Sequence, residues 1–265
     1  MTPGIAMHAG LLVLSSAALV QAAPSTEPGQ PGYRLLRGGT LRTVLPPDGK
    51  QAPARVARFS LRVNPVTNAE FARFTTRNPQ WRPGNAPAVF ADVNYLRHWR
   101  APAREQALQP VTHVSWFAAQ AYCESEGARL PNWHEWELAA AADETRADAR
   151  DDAAWRSRIL GWYSQVSTTL PAAGASRPNV YGIRDLHGVI WEWVQDYGAL
   201  MVSGDSRNQG DPDTLKFCGA GALSAPDREN YPILMRVAML SSLGAANTTR
   251  NMGFRCARDS KGHQP

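Results

Sequence analysis

Cysteine is scarce in this chain, with three residues in 265. At most one intrachain disulfide can form, which leaves an odd thiol. Spacing alone permits any of the three pairings among Cys123, Cys218 and Cys256. A dense basic run is also missing. The net charge is +5, but Arg34, Arg37, Arg42, Arg55, Arg58, Arg62 and Arg73 are dispersed, as on solvated faces. Nucleic acid is therefore not an expected partner, whereas a mildly basic surface suits an acidic protein through steering. No sequence period between 20 and 50 residues recurs, which excludes a repeat architecture.

Long apolar stretches are absent too. The run Gly10–Val20 is too short to span a bilayer, and with Val20 and Ala22 before a cleavage point it reads as a signal peptide over residues 1–23. No cysteine follows it, so a lipoprotein anchor is not expected, and its amino-terminal flank has no Lys or Arg. Residues 24–32 read as a Pro/Gly-rich linker, 33–260 as one domain and 261–265 as a tail. The reading is an exported protein, periplasmic or secreted.

What is present is an ordinary globular composition, 43% hydrophobic and 19% charged, with 21 Gly, 20 Pro and nine Trp. So many chain breakers with large aromatic anchors argue against a helical bundle. The expected fold class is α+β, loop-rich, with short strands and few helices.

Tyr33–Leu45 and Ala54–Val63 alternate apolar and polar residues around Pro46-Pro47-Asp48-Gly49, as an antiparallel pair would. Thr67-Asn68-Ala69-Glu70 has the form of a capping box, and Phe71 and Phe74 share the following helical face. Residues 78–112 lack periodicity and read as an ordered loop layer. Ser115 caps a second helix running through Glu126 to a stop at Gly127. Asn132 and Glu135 start a third that runs to about Asp143. Asp148–Arg158 suits a peripheral helix, Ser164–Pro178 a loop, and Gly188–Val194 and Gly253–Arg258 short strands. Trp191 and Trp193 should share one face of the first strand. Glu192 between them suits an ion pair or loop-amide bonds, with acid catalysis as the alternative.

Three segments occur in order: Arg129-Leu130-Pro131-Asn132-Trp133-His134-Glu135-Trp136-Glu137, Asp185-Leu186-His187-Gly188-Val189-Ile190-Trp191-Glu192-Trp193 and Asn251-Met252-Gly253-Phe254-Arg255-Cys256. With Asn64-Pro65-Val66-Thr67-Asn68 and Val111-Thr112-His113-Val114-Ser115-Trp116, they resemble the formylglycine-generating enzyme family, the sulfatase-modifying factors. The resemblance covers residues 33–259 and implies that family's fold, which is related to C-type lectin-like domains. It also implies a disulfide between Cys123 and Cys256. Closing so long a loop would stabilise the fold by about 4–5 kcal/mol in the chain-entropy model.

In the family's oxidase members two cysteine thiolates bind copper(I), a soft cation suited to soft ligands. They convert a substrate cysteine to formylglycine. Counted back without gaps from Gly-Phe-Arg-Cys, those places hold Asp227 and Pro232 here. No cysteine lies between Cys218 and Cys256 under any alignment, so the bis-thiolate copper site is excluded. The family's calcium sites are weakened: Val189 stands where a loop Asn would supply an oxygen ligand, and the segment before Asn179 lacks acidic residues. Iron is left open as a cofactor, and no three-ligand metal site is visible. The iron-binding helical domain of the ergothioneine-type branch has no room in this chain.

The runs Leu215-Lys216-Phe217-Cys218-Gly219-Ala220-Gly221 and Gly204-Asp205-Ser206-Arg207 look like stand-alone exported members, the accessory proteins of copper nitrite reductase and the pyoverdine-tailoring proteins. The resemblance places Ser224, Tyr231, Arg236, Ser241 and Asn251 along the family's substrate groove, where they would hold a peptide backbone. Cys218 reads either as an inert buried thiol or as an exposed reactive one. His113 and His187 read as hydrogen-bonded core residues, and His98 is unexplained. The implied function is a maturation or accessory factor for a periplasmic copper oxidoreductase, binding a peptide or protein. The alternatives are an oxidoreductase of the family using non-haem iron, not a typical formylglycine-generating oxidase, and a structural or carbohydrate-binding module.

Overall fold

The computed structural model describes residues 1, 32–43, 53–99, 106–164, 169–200 and 231–260. The proposed leader, most of the linker, the tail, the Pro46–Gly49 turn, Cys218, Ser224 and Asp227 lie outside them. Two segments before the first helix form the expected antiparallel pair, broken into two ladders. Strand β1 (Tyr33–Leu36) pairs with β4 (Phe59–Arg62), and β2 (Gly39–Leu41) pairs with β3 (Ala54–Val56). The break falls at Gly38, with φ of 72°. A Cβ there would lie 2.1 Å from the Val56 carbonyl oxygen, so only glycine fits.

Helix α1 (Asn68–Arg77) begins at the Thr67–Glu70 capping box, with both reciprocal bonds formed. It buries Phe71 and Phe74. Helix α2 (Trp116–Ser125) is capped by Ser115, whose hydroxyl accepts the Ala118 amide at 3.1 Å. Gly127 follows in the left-handed region. Helix α3 (Trp133–Ala140) has a second full capping box, Asn132–Glu135. It stops three residues short of the expected end. The Ala141 carbonyl accepts the Ala149 amide instead of a further helical one, and the Asp143 carboxylate gathers the Thr145 and Arg146 amides into a turn.

The next segment departs from expectation. Helix α4 (Ala153–Ser164) starts later than its charge pattern suggests, and it lies at the edge of the fold, mostly exposed or half-buried. Trp155 and Ile159 are buried in a small core of their own. Arg150, just ahead of it, is 2% exposed between Asp148 and the fully buried Glu137. Burial of the Arg150 charge is tolerated because it meets two carboxylates.

The two short strands expected near the end pair differently from each other. Strand β5 (Trp191–Glu192) runs parallel to β6 (Met252–Gly253), whereas β7 (Ala257–Asp259) joins the edge of β4. Between β5 and β6 lies helix α5 (Tyr231–Ser241). Pro232 sits in its first turn, where the missing N–H forfeits no intrahelical bond. Cys123 of α2 and Cys256 are disulfide-bonded, S–S 2.01 Å, across 133 residues. One main core of aromatic and aliphatic side chains joins α1, α2, α3 and β4 to the final segment. Short strands, five α-helices and long connections among the described residues make a loop-rich α+β fold.

Candidate functional site

The three sequence segments converge on one buried charge cluster. Arg255 and Glu192 are both fully buried and form a bidentate pair, Nη2–Oε1 2.8 Å and Nε–Oε2 2.8 Å. Arg255 also donates to the carbonyls of Arg62, Val63 and Arg184, so its N–H groups are spread over three chain segments. The Trp136 indole N–H donates to Glu192 Oε2 at 2.8 Å. Above that indole, the Arg236 guanidinium lies 3.6 Å from the ring centroid and donates to the Glu192 carbonyl. Burial pushes Arg236 down to about 10, with Glu192 opposing that fall. It stays charged at neutral pH, so the cluster holds two cations and one carboxylate. Glu192 therefore takes the ion-pair role expected of it.

His187 joins from the side. Its Nε2 lies 2.8 Å from the Ala140 carbonyl and its Nδ1 3.3 Å from the Tyr163 hydroxyl. Trp136, Trp155 and Tyr163 pack edge-on around its ring. Desolvation holds the imidazole neutral, down to about 4. This is a satisfied core histidine. Gly188, next to it, has φ of 80°, and a Cβ there would meet the Trp162 ring at 2.8 Å.

The outer face is built by the chain just before β6. Asn251 is half-buried; its carbonyl accepts the Trp191 amide at 2.7 Å and its Oδ1 accepts the Thr249 hydroxyl at 2.8 Å. The Thr249 carbonyl accepts the His113 amide, and the His113 carbonyl accepts the Leu96 amide, each at 2.9 Å. Asp92 accepts the Thr248 hydroxyl at 2.6 Å and amide at 3.0 Å. The 91–99 loop, the chain before α2 and the chain before β6 are thus stitched into one wall. His98 and His113 face each other on it, ring centroids 5.0 Å apart. Desolvation lowers both imidazoles, and each is lowered further by a positive neighbour: His113 by Arg97, His98 by His113.

The residues expected along a groove are not all brought together. Asn251 is on this wall. Ser241 ends α5, its hydroxyl donating to the Ala238 carbonyl of its own helix. Arg236 is 1% exposed and belongs to the buried cluster, so the structure gives it a core position rather than an open groove position. Tyr231 opens α5; Ser224 and Cys218 lie outside the described residues. Sequence reasoning missed Arg255 as the partner of Glu192 and the approach of His98 to His113. The first had a signal, an arginine between apolar residues in Phe254-Arg255-Cys256. The second had none, because the two residues stand 15 positions apart in sequence with no periodicity linking them.

The bis-thiolate copper site does not fit this donor set. Two of the three sulfurs are consumed by the Cys123–Cys256 bond, so one chain offers a single thiol. Among the described residues no three His, Cys, Asp or Glu side chains converge as a metal cage. No described helix is long and apolar enough to cross a membrane.

Residues 18–260 match the model of the sulfatase-modifying factor enzyme 1-like domain. A formylglycine-generating enzyme of Streptomyces coelicolor is 30% identical over 92% of this chain and 95% of its own length. A mouse protein described as inactive C-alpha-formylglycine-generating enzyme 2 is 28% identical over 93% of this chain and 91% of its own length. The solved structure of PvdO from Pseudomonas aeruginosa aligns with 86% of this chain and 94% of that one, at 16% identity and a TM-score of 0.44.

Proposed function

The chain belongs to the sulfatase-modifying factor family, and we propose that it serves as an exported accessory factor, not a formylglycine-generating oxidase. One observation carries this reading. Three cysteines with one disulfide leave a single sulfur, whereas copper(I) held by two thiolates needs a pair. The mouse relative described as inactive supports it by showing that the family includes members without the activity. The wall around Asn251 is the surface a peptide segment would meet. Backbone groups and loop side chains there hold an extended chain without any chemistry on it. The partner is a periplasmic copper oxidoreductase, for which a bound peptide segment would be held during maturation.

Two measurements test this. Incubation of the mature protein with copper(I), oxygen and a cysteine-containing sulfatase peptide should yield no aldehyde by mass spectrometry; an aldehyde product would overturn the reading. Co-expression with a copper nitrite reductase from the same organism should raise the copper-loaded fraction of that enzyme. An unchanged fraction removes the accessory role.

A further inference from the structure

We infer that His98 and His113 form a two-imidazole site for a late first-row divalent cation, with copper(II) favoured over zinc(II), on the wall beside Asn251. With metal–nitrogen bonds of about 2.0–2.1 Å, two imidazoles meeting at about 90–110°, the cis angle of a tetragonal or tetrahedral ion, place their ring centroids roughly 4.5–5 Å apart. The observed separation is 5.0 Å, with the ring planes tilted by 38°.

The second observation is an orphaned atom. His113 Nδ1 is sealed from solvent and has no hydrogen-bond partner among the described residues. An unsatisfied buried nitrogen is costly, and a coordinated cation would offset that cost. The backbone fixes the ring that carries it. His113 has φ of 53°, a left-handed position held by hydrogen bonds from its amide to Thr249 and to its carbonyl from Leu96.

The surroundings suit a cation in part. Asp92 acts on His113 electrostatically and is itself held by Thr248 and Asn94, as carboxylates near metal-bound imidazoles are. Arg97 opposes it, although its guanidinium is turned to the Asn94 side-chain oxygen at 3.3 Å. Imidazole pairs rank copper(II) above zinc(II) by the general affinity order of divalent cations. Two protein ligands leave positions for water or for a residue of a bound chain. This inference goes beyond the accessory reading and does not need it, because its readout is the cation alone.

The test uses the mature chain without a histidine tag, stripped with chelator and titrated with copper(II) chloride. One equivalent should bind, with a paramagnetic resonance spectrum showing two coupled imidazole nitrogens. His98→Ala changes an exposed side chain and should weaken binding at least tenfold with an unchanged melting curve. His113→Asn, whose new residue tolerates the left-handed backbone, should do the same. Cys218→Ser and His134→Ala should leave the affinity within a factor of three of the parent. Three results overturn the inference: His98→Ala binding as tightly as the parent, binding lost only with Cys218→Ser, or no stoichiometric binding at all. If His113→Asn fails to fold, His98→Ala decides the matter.

Discussion

Replacing Glu192 by Gln would expose how the fold is held together. The substitution keeps the shape and removes the carboxylate that pairs with Arg255 among the described residues, leaving the buried Arg255 guanidinium without its anion and the buried Arg236 without that negative charge nearby. Breaking a fully buried pair from one side costs about 3–5 kcal/mol, because the surviving charge stays desolvated. The upper part of that range applies here. Glu192 is 0% exposed, accepts two bonds at 2.8 Å from Arg255 and a third from Trp136, and Arg255 also ties three chain segments. For a domain of this size about 1 kcal/mol moves the melting temperature by 2–4 °C, so a fall of roughly 8–20 °C is expected. Urea unfolding of the oxidised protein measures the free energy directly, provided the denaturant slope is unchanged. Arg255→Met should cost a similar amount. The double variant should be clearly more stable than the sum of the two losses, since it leaves no unpaired charge at that position. A Glu192→Gln loss below about 1 kcal/mol would refute the view that this pair is the fold's electrostatic centre.

Reducing the Cys123–Cys256 bond should cost about 4–5 kcal/mol for a loop of this length; urea midpoints that coincide with and without reductant would contradict that. His187 predicts an acid dependence. Its folded value of about 4 lies below the ordinary 6.5, so the folded state binds fewer protons between those values. The stabilisation is fully present above pH 6.5 and is lost as pH falls towards 4, a swing of about 3 kcal/mol. His187→Gln should flatten that part of the stability curve, and an imidazole that titrates near 6.5 by NMR would sink the claim. Thr67→Ala removes one half of a capping box and should cost about 1 kcal/mol, read as a shift in the urea midpoint with no change in slope. A value near zero would mean that Glu70, also paired with Arg62, carries the helix start alone.

Local chemistry was legible wherever it acts over a few residues. Both capping boxes and the Ser115 cap formed where the sequence placed them, because a side-chain oxygen three residues from an orphan amide meets it in any surroundings. Strand pairing was half legible. The alternation in Tyr33–Leu45 and Ala54–Val63 showed an antiparallel partnership, but not the Gly38 break that splits it into two ladders. The order of the last strands was hidden, since two-residue strands such as β5 and β6 carry no periodicity to read. Charged residues misled most. Asp148–Arg158 read as peripheral, and most of it is, but the sequence does not show that Arg150 meets Glu137 across 13 positions and is buried there. Arg236 looked like a groove residue by its place in the family pattern, and only the stack on Trp136 shows it to be interior.

The persistence of this scaffold without the copper thiolates has a physical account. The cluster around Glu192 draws its bonds from Trp136, Arg236 and Arg255, and no sulfur takes part in it. The one sulfur bridge the fold uses, Cys123–Cys256, is retained, and it anchors α2 to the residue next to Arg255. Strand β5 connects this interior to the surface. Its Glu192 points into the cluster while the Trp191 amide holds Asn251, and the Trp193 amide holds Gly253. Gly253 cannot be larger, because a Cβ would lie 2.3 Å from the Val111 carbonyl oxygen. The same few bonds therefore set both the core and the position of the Asn251 wall. Apart from the disulfide, these bonds come from backbone groups and from Trp, Arg and Glu side chains, so they hold the Asn251 wall in register without any further cysteine.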